Sequence, residues 1–287
     1  MNSKVESRSL LQKIFGKKSY IVNGKTIVKP RSKTPLIVLI CLAVFIFFWQ
    51  FIPTKNLTLK FDQLTVLIKK MFDPSSGKSQ TWDGWFSYMW ELRRSVGETL
   101  KMVLIGTLAG AVIALPFSII AAQNVSRKVW LYQPVRLFVN FIRTIPTVVL
   151  AVVAMFFCGL GALPGIVSIT IFSFGLLTKM LYEIIETVDM GPFEALEANG
   201  ANKLQAFKMA IVPQLLPVFL GYFIYTFEIN VRASVILGYV GAGGIGAELD
   251  NAMSNMYYDH VGAVVVVLFF LVLIIQGLTS YIRGKLA

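Results

Sequence analysis

Residues 261–275 read VGAVVVVLFFLVLII and contain no charged side chain. With its neutral neighbours, this run reaches the roughly 20 mostly apolar residues that a helix needs to cross a bilayer. Four more apolar runs lie at Leu36–Trp49, Met102–Ala122, Val148–Leu160 and Ile166–Leu177. Of the 287 residues, 56% are apolar and 15% are charged, whereas soluble domains carry about 25% charged residues. The sequence therefore predicts an all-α polytopic membrane protein.

Positive charge in the flanking segments predicts the orientation of the spans. We expect about six spans, at residues 36–52, 99–122, 134–161, 166–187, 213–236 and 261–281. The tail before the first span carries nine Lys and Arg residues against one Glu, and basic segments of this kind stay on the cytoplasmic side. Both termini are then cytoplasmic. The net charge of +12 fits this topology, and nucleic-acid binding is not expected because the basic residues flank apolar spans.

The chain divides by composition into four parts. They are a cytoplasmic basic tail at 1–35, a first transmembrane helix at 36–52, an extracytoplasmic segment at 53–94 and a transmembrane domain at 95–282. Within the third part, residues 57–72 have the apolar spacing of an amphipathic surface helix. The aromatic side chains that follow are typical of a belt at the membrane interface: Trp82, Trp85, Tyr88 and Trp90.

The stretch 238–250, GYVGAGGIGAELD, contains Gly241, Gly243 and Gly246 at the spacing G-x-G-x-x-G. In a soluble α/β protein this spacing is typical of a dinucleotide cradle between a strand and a helix. Here the stretch lies between two membrane spans, without a strand–turn–helix pattern around it. We therefore expect these glycines, with Gly244, to allow close backbone approach or a re-entrant turn. Such irregular backbone is tolerated at membrane depth only inside protein or beside a cavity.

Neither catalytic nor metal-binding residues are expected. Cys41 and Cys158 lie inside apolar runs, where they fit as small packed side chains. The single histidine, His260, lies at the edge of the last span without Cys or His neighbours. The spans lack the histidine-rich, paired-Asp or Ser–Lys constellations of a membrane enzyme. A phosphate loop is also missing, so no cofactor of the chain's own is expected.

A polar loop after the fourth span carries the most specific spacing in the sequence. Residues 194–217 read EALEANGANKLQAFKMAIVPQLLP. The pattern predicts a short helix at 193–198, a glycine stop at Gly200 and a second helix at 202–210 that ends before Pro213. An amphipathic knob of this kind, on the cytoplasmic face of a membrane protein, can fit a groove on a partner protein.

This loop resembles the EAA loop, E-A-A-x(3)-G-x(9)-I-x-L-P, of the permease subunits of binding-protein-dependent ABC importers. Leu196, Ala210 and Val212 depart from the pattern. The resemblance implies that the loop docks an ATPase subunit. The residues that it implicates are Glu194, Ala195, Ala198, Gly200, Ala201 and Pro213.

Further motifs narrow the resemblance to the phosphonate-importer permease over residues 95–282. They are Arg143-Thr-Ile-Pro146, Glu183-Ile-Ile-Glu186, Glu228-Ile-Asn-Val-Arg232 and Leu237–Gly246. The methionine-importer permease shares GAGGIG, but the extra first span and the E-x-N-V-R pair favour the phosphonate type. The resemblance implies a type I, methionine-permease-like core in the cell membrane, importing phosphonates or related organophosphorus or phosphite anions.

The same resemblance implies the partners. They are a second copy of the permease, two cytoplasmic ATPases that bind ATP, and an extracytoplasmic substrate-binding protein. The alternatives are a methionine, amino-acid or betaine importer permease and, in a different class, an ion-coupled secondary transporter. The latter would show two matching inverted halves, and no such repeat is visible in the sequence.

Charged residues inside spans are costly and are usually paired or functional. Glu228 and Arg232 are four residues apart, which predicts an ion pair on one helical face. Two interpretations stay open: a structural pair facing the bundle interior, or a pathway pair near the gate with Asn230 beside it. Because a phosphonate is an anion, Arg232 and Arg143 are the candidates for transient substrate contacts. Pro146 predicts a kink or break in the third span.

Overall fold

The computed structural model describes residues 19–22, 25–28, 34–50, 61–126 and 128–286. The chain separates into two compact units, 1–61 and 62–287. The first unit contains a short antiparallel hairpin of β1 (Ser19–Val22) and β2 (Lys25–Val28), with Tyr20 opposite Ile27. It also contains the helix α1 (Thr34–Trp49), which is apolar on every side. The hairpin was not expected from the basic composition of the tail.

The second unit is helical throughout its described residues, as the sequence predicts. Its helices are α2 (Phe61–Phe72), α3 (Trp82–Glu91), α4 (Arg93–Ala121), α5 (Val129–Thr144), α6 (Thr147–Cys158), α7 (Ala162–Thr187), α8 (Gly191–Ala198), α9 (Lys203–Ala206), α10 (Val212–Leu237), α11 (Gly244–Ser254) and α12 (Tyr258–Leu286). A 3₁₀ turn at Pro74–Ser76 and two π-helical segments, Phe207–Ile211 and Gly238–Ala242, complete the unit.

Among the described residues, four helical stretches are long and apolar enough to cross a membrane: Trp82–Ala121, Ala162–Thr187, Lys203–Ala242 and Tyr258–Leu286. A fifth is possible if α5 and α6, which meet at a 91° bend, are one broken span. The apolar part of α1, Leu36–Trp49, is shorter than a full span. The predicted total of six spans therefore depends on counting both α1 and the bent pair.

The bend between α5 and α6 confirms the helix break predicted at Pro146. Helix α5 ends at Thr144, and α6 begins at Thr147. Proline has no N–H to donate and disfavours helical geometry in the residue before it. Ile145 is accordingly extended, with φ −85° and ψ 122°.

The centre of the second unit is the contact between α4 and α7. Two glycines of α4, Gly106 and Gly110, allow this contact, because a Cβ at Gly110 would lie 2.7 Å from the carbonyl oxygen of Thr170. A Cβ at Gly106 would lie 2.8 Å from a methyl carbon of Ile169. The small residues of this G-x-x-x-G therefore join two helices of the same chain at close range, as such motifs do in membranes.

At one end of this core, α3 packs against the start of α12. We call this the α3 end. The indole Nε1 of Trp85 donates a hydrogen bond to the carbonyl oxygen of Asp259 (2.9 Å), and Tyr88 stacks on the ring of His260 at 3.7 Å. Trp85 therefore departs from the predicted interfacial belt, and the interfacial position of the other aromatic side chains stays a prediction. Trp82 and Trp90 are exposed, whereas Trp85 belongs to the core.

The amphipathic helix expected at 57–72 is present as α2, which begins at Phe61. The first residues of the predicted range, 57–60, lie outside the described residues. The opposite end of the core, where α7 leads into α8 and α9, is called the α8 end below.

Candidate translocation site and docking loop

A buried polar layer joins three helices near the middle of the core. Asn230 of α10 donates both of its amide hydrogens, to the hydroxyl oxygens of Thr107 and Ser173, each at 2.8 Å. Thr107 is the central residue of α4, and Ser173 lies near the middle of α7. All three side chains are fully buried. The carbonyl oxygen Oδ1 of Asn230 is also buried and accepts no hydrogen bond within the described structure.

Next to this layer, a buried carboxylate joins α10 to α12. Oε1 of Glu228 is paired with the guanidinium of Arg232, which confirms the predicted i,i+4 ion pair. Oε2 accepts hydrogen bonds from the hydroxyl of Thr279 (2.9 Å) and from Arg283 (3.1 Å). Arg283 lies beyond the predicted span 261–281, and the sequence alone did not predict this contact. Only the antiparallel packing of α10 and α12 brings the two positions together.

Arg143 is not part of this cluster. It lies at the end of α5, where its methylene groups face α7: a Cβ at Gly175 would be 3.0 Å from Cγ of Arg143. The side chain is exposed, and it forms no ion pair with any residue that the structure describes. Pro146, three residues later, is exposed at the start of α6. Arg143 therefore packs on α7, whereas Arg232 belongs to the cluster around Glu228.

The glycine-rich stretch reverses the chain between α10 and α11. Gly241, Gly243 and Gly244 have φ of 106°, 79° and 67°, a left-handed region that glycine adopts readily. Gly246 lies on the backbone of α10, because a Cβ there would be 2.2 Å from the carbonyl oxygen of Val235. The predicted close backbone approach is confirmed. Among the described residues of the second unit, no strand precedes the glycines. These residues therefore do not form the strand–turn–helix arrangement of a dinucleotide site.

Two hydrogen bonds tie this reversal to the rest of the core. The amide of Gly161, in the turn between α6 and α7, donates to the carbonyl oxygen of Gly241 (3.1 Å). The amide of Ile245 donates to the hydroxyl of Thr99 on α4 (2.9 Å). A change in the angle between α10 and α11 would therefore displace the segments bonded to this reversal, which are α4 and the turn between α6 and α7. The sequence did not predict α11, because the glycines favoured an irregular connection.

At the α8 end, the polar loop forms the short helix that was predicted and then departs from the prediction. Helix α8 ends at Ala198, and Gly200 follows with φ 90°. Asn202 and Gln205 then form a reciprocal capping box that starts α9. The expected end before Pro213 is wrong, because the helix continues through a π-helical segment into α10. Pro213 has no N–H group to donate to the helix. The π-helical segment before it has i→i+5 hydrogen bonds in place of the regular helical pattern, which accommodates the missing donor.

The surface of this loop combines acidic and apolar side chains. Glu194, Ala195, Ala198, Gly200 and Pro213 are exposed, and Ala201 is half-buried. Leu204 and Met209 are 78% and 70% exposed. Ala206, Ala210 and Ile211 face inward and are buried. The loop therefore exposes two large apolar side chains beside its charged ones.

A cavity of about 800 Å³ separates this loop from the turn between α4 and α5. Its lining is mostly apolar and includes Phe193, Leu204 and Phe207 from the loop, Val125 from the turn and Leu131 from the first part of α5.

A half-buried ion pair joins α5 to α7 near this cavity. Arg136 of α5 pairs with Glu186 of α7, and its Nε donates to the last carbonyl of α4, that of Ala121 (2.8 Å). Glu186 also accepts a hydrogen bond from the amide of Gln123 (2.8 Å). The C-terminal ends of α4 and α7 are thereby joined to the middle of α5.

These features define a class of protein: a helical membrane protein with a bent helix pair, a buried polar layer between three helices and a polar loop at the α8 end. Comparison with known proteins agrees. The family described as binding-protein-dependent transport system inner membrane component matches residues 114–285. The chain belongs to this family, and it is an inner-membrane permease of the ABC-importer type.

Two curated relatives and one solved structure illustrate the similarity. The phosphate-import permease PhnE of Mycolicibacterium smegmatis is 36% identical over 196 residues, which are 68% of this chain and 37% of that protein. The phosphite transport system permease PtxC of Stutzerimonas stutzeri is 34% identical over 66% of this chain and 69% of that protein. The methionine ABC transporter MetNI, in inward-facing conformations, has 28% identity and a TM-score of 0.61, covering 69% of this chain and 97% of that chain.

Proposed function

We propose that the protein is the permease of an ATP-driven importer for phosphorus oxyanions, namely phosphonates, phosphite or related organophosphorus anions. The observation that carries this proposal is the agreement between two relatives, one named for phosphate and the other for phosphite. The alternative, an importer of methionine or another amino acid, is supported by the similarity of fold to the methionine transporter. The chain itself is not an enzyme in this proposal, since ATP is bound and hydrolysed by a separate subunit.

In the proposed assembly, two copies of the permease bind two ATPase subunits through the loop at the α8 end. The residues in contact would be Glu194, Ala195, Ala198, Gly200, Ala201 and Pro213. Their exposure, together with that of Leu204 and Met209, supports this role. The extracytoplasmic binding protein would then approach the α3 end, at the opposite end of α4 and α7.

The translocation pathway in this proposal runs beside α10. Its residues would be Arg143, Pro146, Glu228, Asn230, Arg232, Gly241, Gly243, Gly244 and Gly246. The position of Asn230 and Glu228 near the middle of the core supports this role, and so does the reversal of the chain at the glycines. Breaks in membrane helices are characteristic of protein-lined cavities rather than of lipid-facing surfaces.

Substrate class is tested by uptake in cells that contain the permease with its own ATPase and binding protein as the only importer. We expect growth on phosphite or methylphosphonate as the sole phosphorus source, and we expect no uptake of methionine or glycine betaine. Omitting the ATPase subunit serves as the control and is expected to abolish growth. Uptake of methionine or betaine without any phosphorus oxyanion would contradict the proposal and favour the alternative.

Membrane orientation is tested by cysteine labelling in whole cells after Cys41 and Cys158 are replaced by Ser. We propose that the α8 end is cytoplasmic. In cells that produce the permease without its ATPase, Ala198→Cys should therefore react with a membrane-impermeant maleimide only after the cells are permeabilised. Ser254→Cys, exposed at the end of α11, should react in intact cells. Labelling of Ala198→Cys in intact cells would place the docking loop outside and contradict the proposed assembly.

A further inference from the structure

The cluster that joins α10 to α12 holds two guanidinium groups and one carboxylate. The side chain of Glu228 is 9% exposed, whereas those of Arg232 and Arg283 are 48% and 37% exposed. Every ion pair that either arginine makes within the described structure is with Glu228. The cluster therefore carries one more positive charge than Glu228 can balance.

An uncompensated charge beside or inside a membrane span is unfavourable. Arg232 lies within the predicted span 213–236, where a cationic side chain faces protein or water rather than lipid. Arg283 lies in the last turn of α12, just beyond the predicted span 261–281. Arg232 shares its exposed face of α10 with Tyr225 and Ile236, at helical spacing. Such a mixed polar and aromatic face is unlike a lipid-facing one. An anion that visits this face would balance the excess charge.

The free hydrogen-bond donors of the cluster are suited to an oxyanion. Arg283 uses Nη2 for Glu228 (3.1 Å) and Nε for the carbonyl oxygen of Thr279 (3.4 Å). Its Nη1 has no hydrogen-bond acceptor among the described residues. A guanidinium presents its N–H groups in a planar fork that matches phosphate oxygens, which an ammonium does not.

We propose that Arg232 and Arg283 together form a phosphorus-oxyanion site within the permease, with Glu228 as the residue that positions both guanidiniums. This inference rests on the proposed function and replaces Arg143 with Arg283 as the partner of Arg232. Glu228 has two effects: it holds two like charges close together, and it lowers the net charge of the site to one. The second effect keeps binding weak enough for release, as transport requires.

The site is tested by binding of radiolabelled phosphite and inorganic phosphate to the permease–ATPase complex in nanodiscs without the binding protein. Arg283→Gln is expected to weaken phosphite binding by about 10-fold to 100-fold, since hydrogen bonds to charged groups are lost. Lys285→Gln, which removes the next cation on the same helix, is the matched control and should leave binding unchanged. Wild-type affinity in Arg283→Gln would overturn the proposal.

Two further variants keep the test decisive. If Arg283→Gln fails to assemble, Arg283→Lys is used, which keeps the positive charge but removes the planar guanidinium. This variant should still weaken phosphite binding by about tenfold. Wild-type affinity in Arg283→Lys would also overturn the proposed site. Glu228→Gln should tighten phosphite binding and slow uptake, because the net charge of the site rises. Weaker binding in Glu228→Gln would overturn the charge-lowering role and leave only the positioning role of Glu228.

The same guanidiniums could bind the phosphate of an anionic phospholipid, which shares this chemistry. The binding assay is therefore repeated in nanodiscs of phosphatidylcholine alone and of phosphatidylcholine with phosphatidylglycerol. Phosphite binding in phosphatidylcholine alone supports the transport site. Arg283-dependent retention of phosphatidylglycerol without phosphite binding would overturn it. A wild-type importer that takes up no phosphorus oxyanion at all would instead mark the failure of the proposed function.

Discussion

Reversing one charge on the docking loop, by Glu194→Lys, is expected to release the ATPase and abolish uptake. Glu194 lies on the exposed face of α8, and its side chain forms no ion pair with the described residues. The permease should therefore fold normally. Truncating a central interface residue often costs 2 kcal/mol or more, so copurification of the ATPase should fall by about tenfold or more. A pull-down with the tagged permease measures the amount of ATPase that copurifies.

Two variants separate docking from general damage. Asp83→Lys reverses an exposed charge on α3, at the other end of the core, and should retain the ATPase at the wild-type level. Gly200→Asp acts on the same loop through its backbone, because a side chain at φ 90° is strained. It should release the ATPase as Glu194→Lys does. Retention of the ATPase by both loop variants would count against docking at this loop.

The fold was largely predictable because the decisive signals are local. Apolar runs of span length predicted the membrane helices, and Pro146 predicted the break between α5 and α6. Glu228 and Arg232 are neighbours on one helix, so their spacing alone predicted the ion pair. Such signals need no knowledge of how the helices are arranged.

The missing parts of the site depend on contacts between distant segments. Thr107, Ser173 and Arg283 meet α10 only through helix packing, and nothing in their sequence neighbourhoods distinguishes them. Pro213 was interpreted as a helix terminator, but a π-helical segment keeps the helix continuous there. Trp85 was assigned to the membrane interface because it lies in a sequence segment rich in aromatic residues. Its indole is instead buried against Asp259. Local composition cannot separate these cases.

Adding one methyl group at the crossing of α10 and α11, by Gly246→Ala, is expected to impair transport strongly. The new Cβ would lie 2.2 Å from the carbonyl oxygen of Val235 and 2.7 Å from Cα of Gly238. Both are backbone atoms, so no side-chain rotation can relieve the overlap, and the two helices must separate. Overpacking of this kind costs about 1–3 kcal/mol. Uptake is expected to fall by about tenfold or more, since each 1.4 kcal/mol changes an equilibrium about tenfold.

The matched control is Gly277→Ala on α12, where a Cβ would meet no atom within 4 Å. Because alanine favours a helix over glycine, this variant should transport normally and melt at or above the wild-type temperature. Assembly of the permease with the ATPase distinguishes a gating role of the α10–α11 crossing from a purely structural role. If the crossing gates the pathway, Gly246→Ala still binds the ATPase and hydrolyses ATP but fails to import. Loss of the assembled complex would show that the crossing serves stability alone, and normal uptake would show that the close contact is not needed for transport.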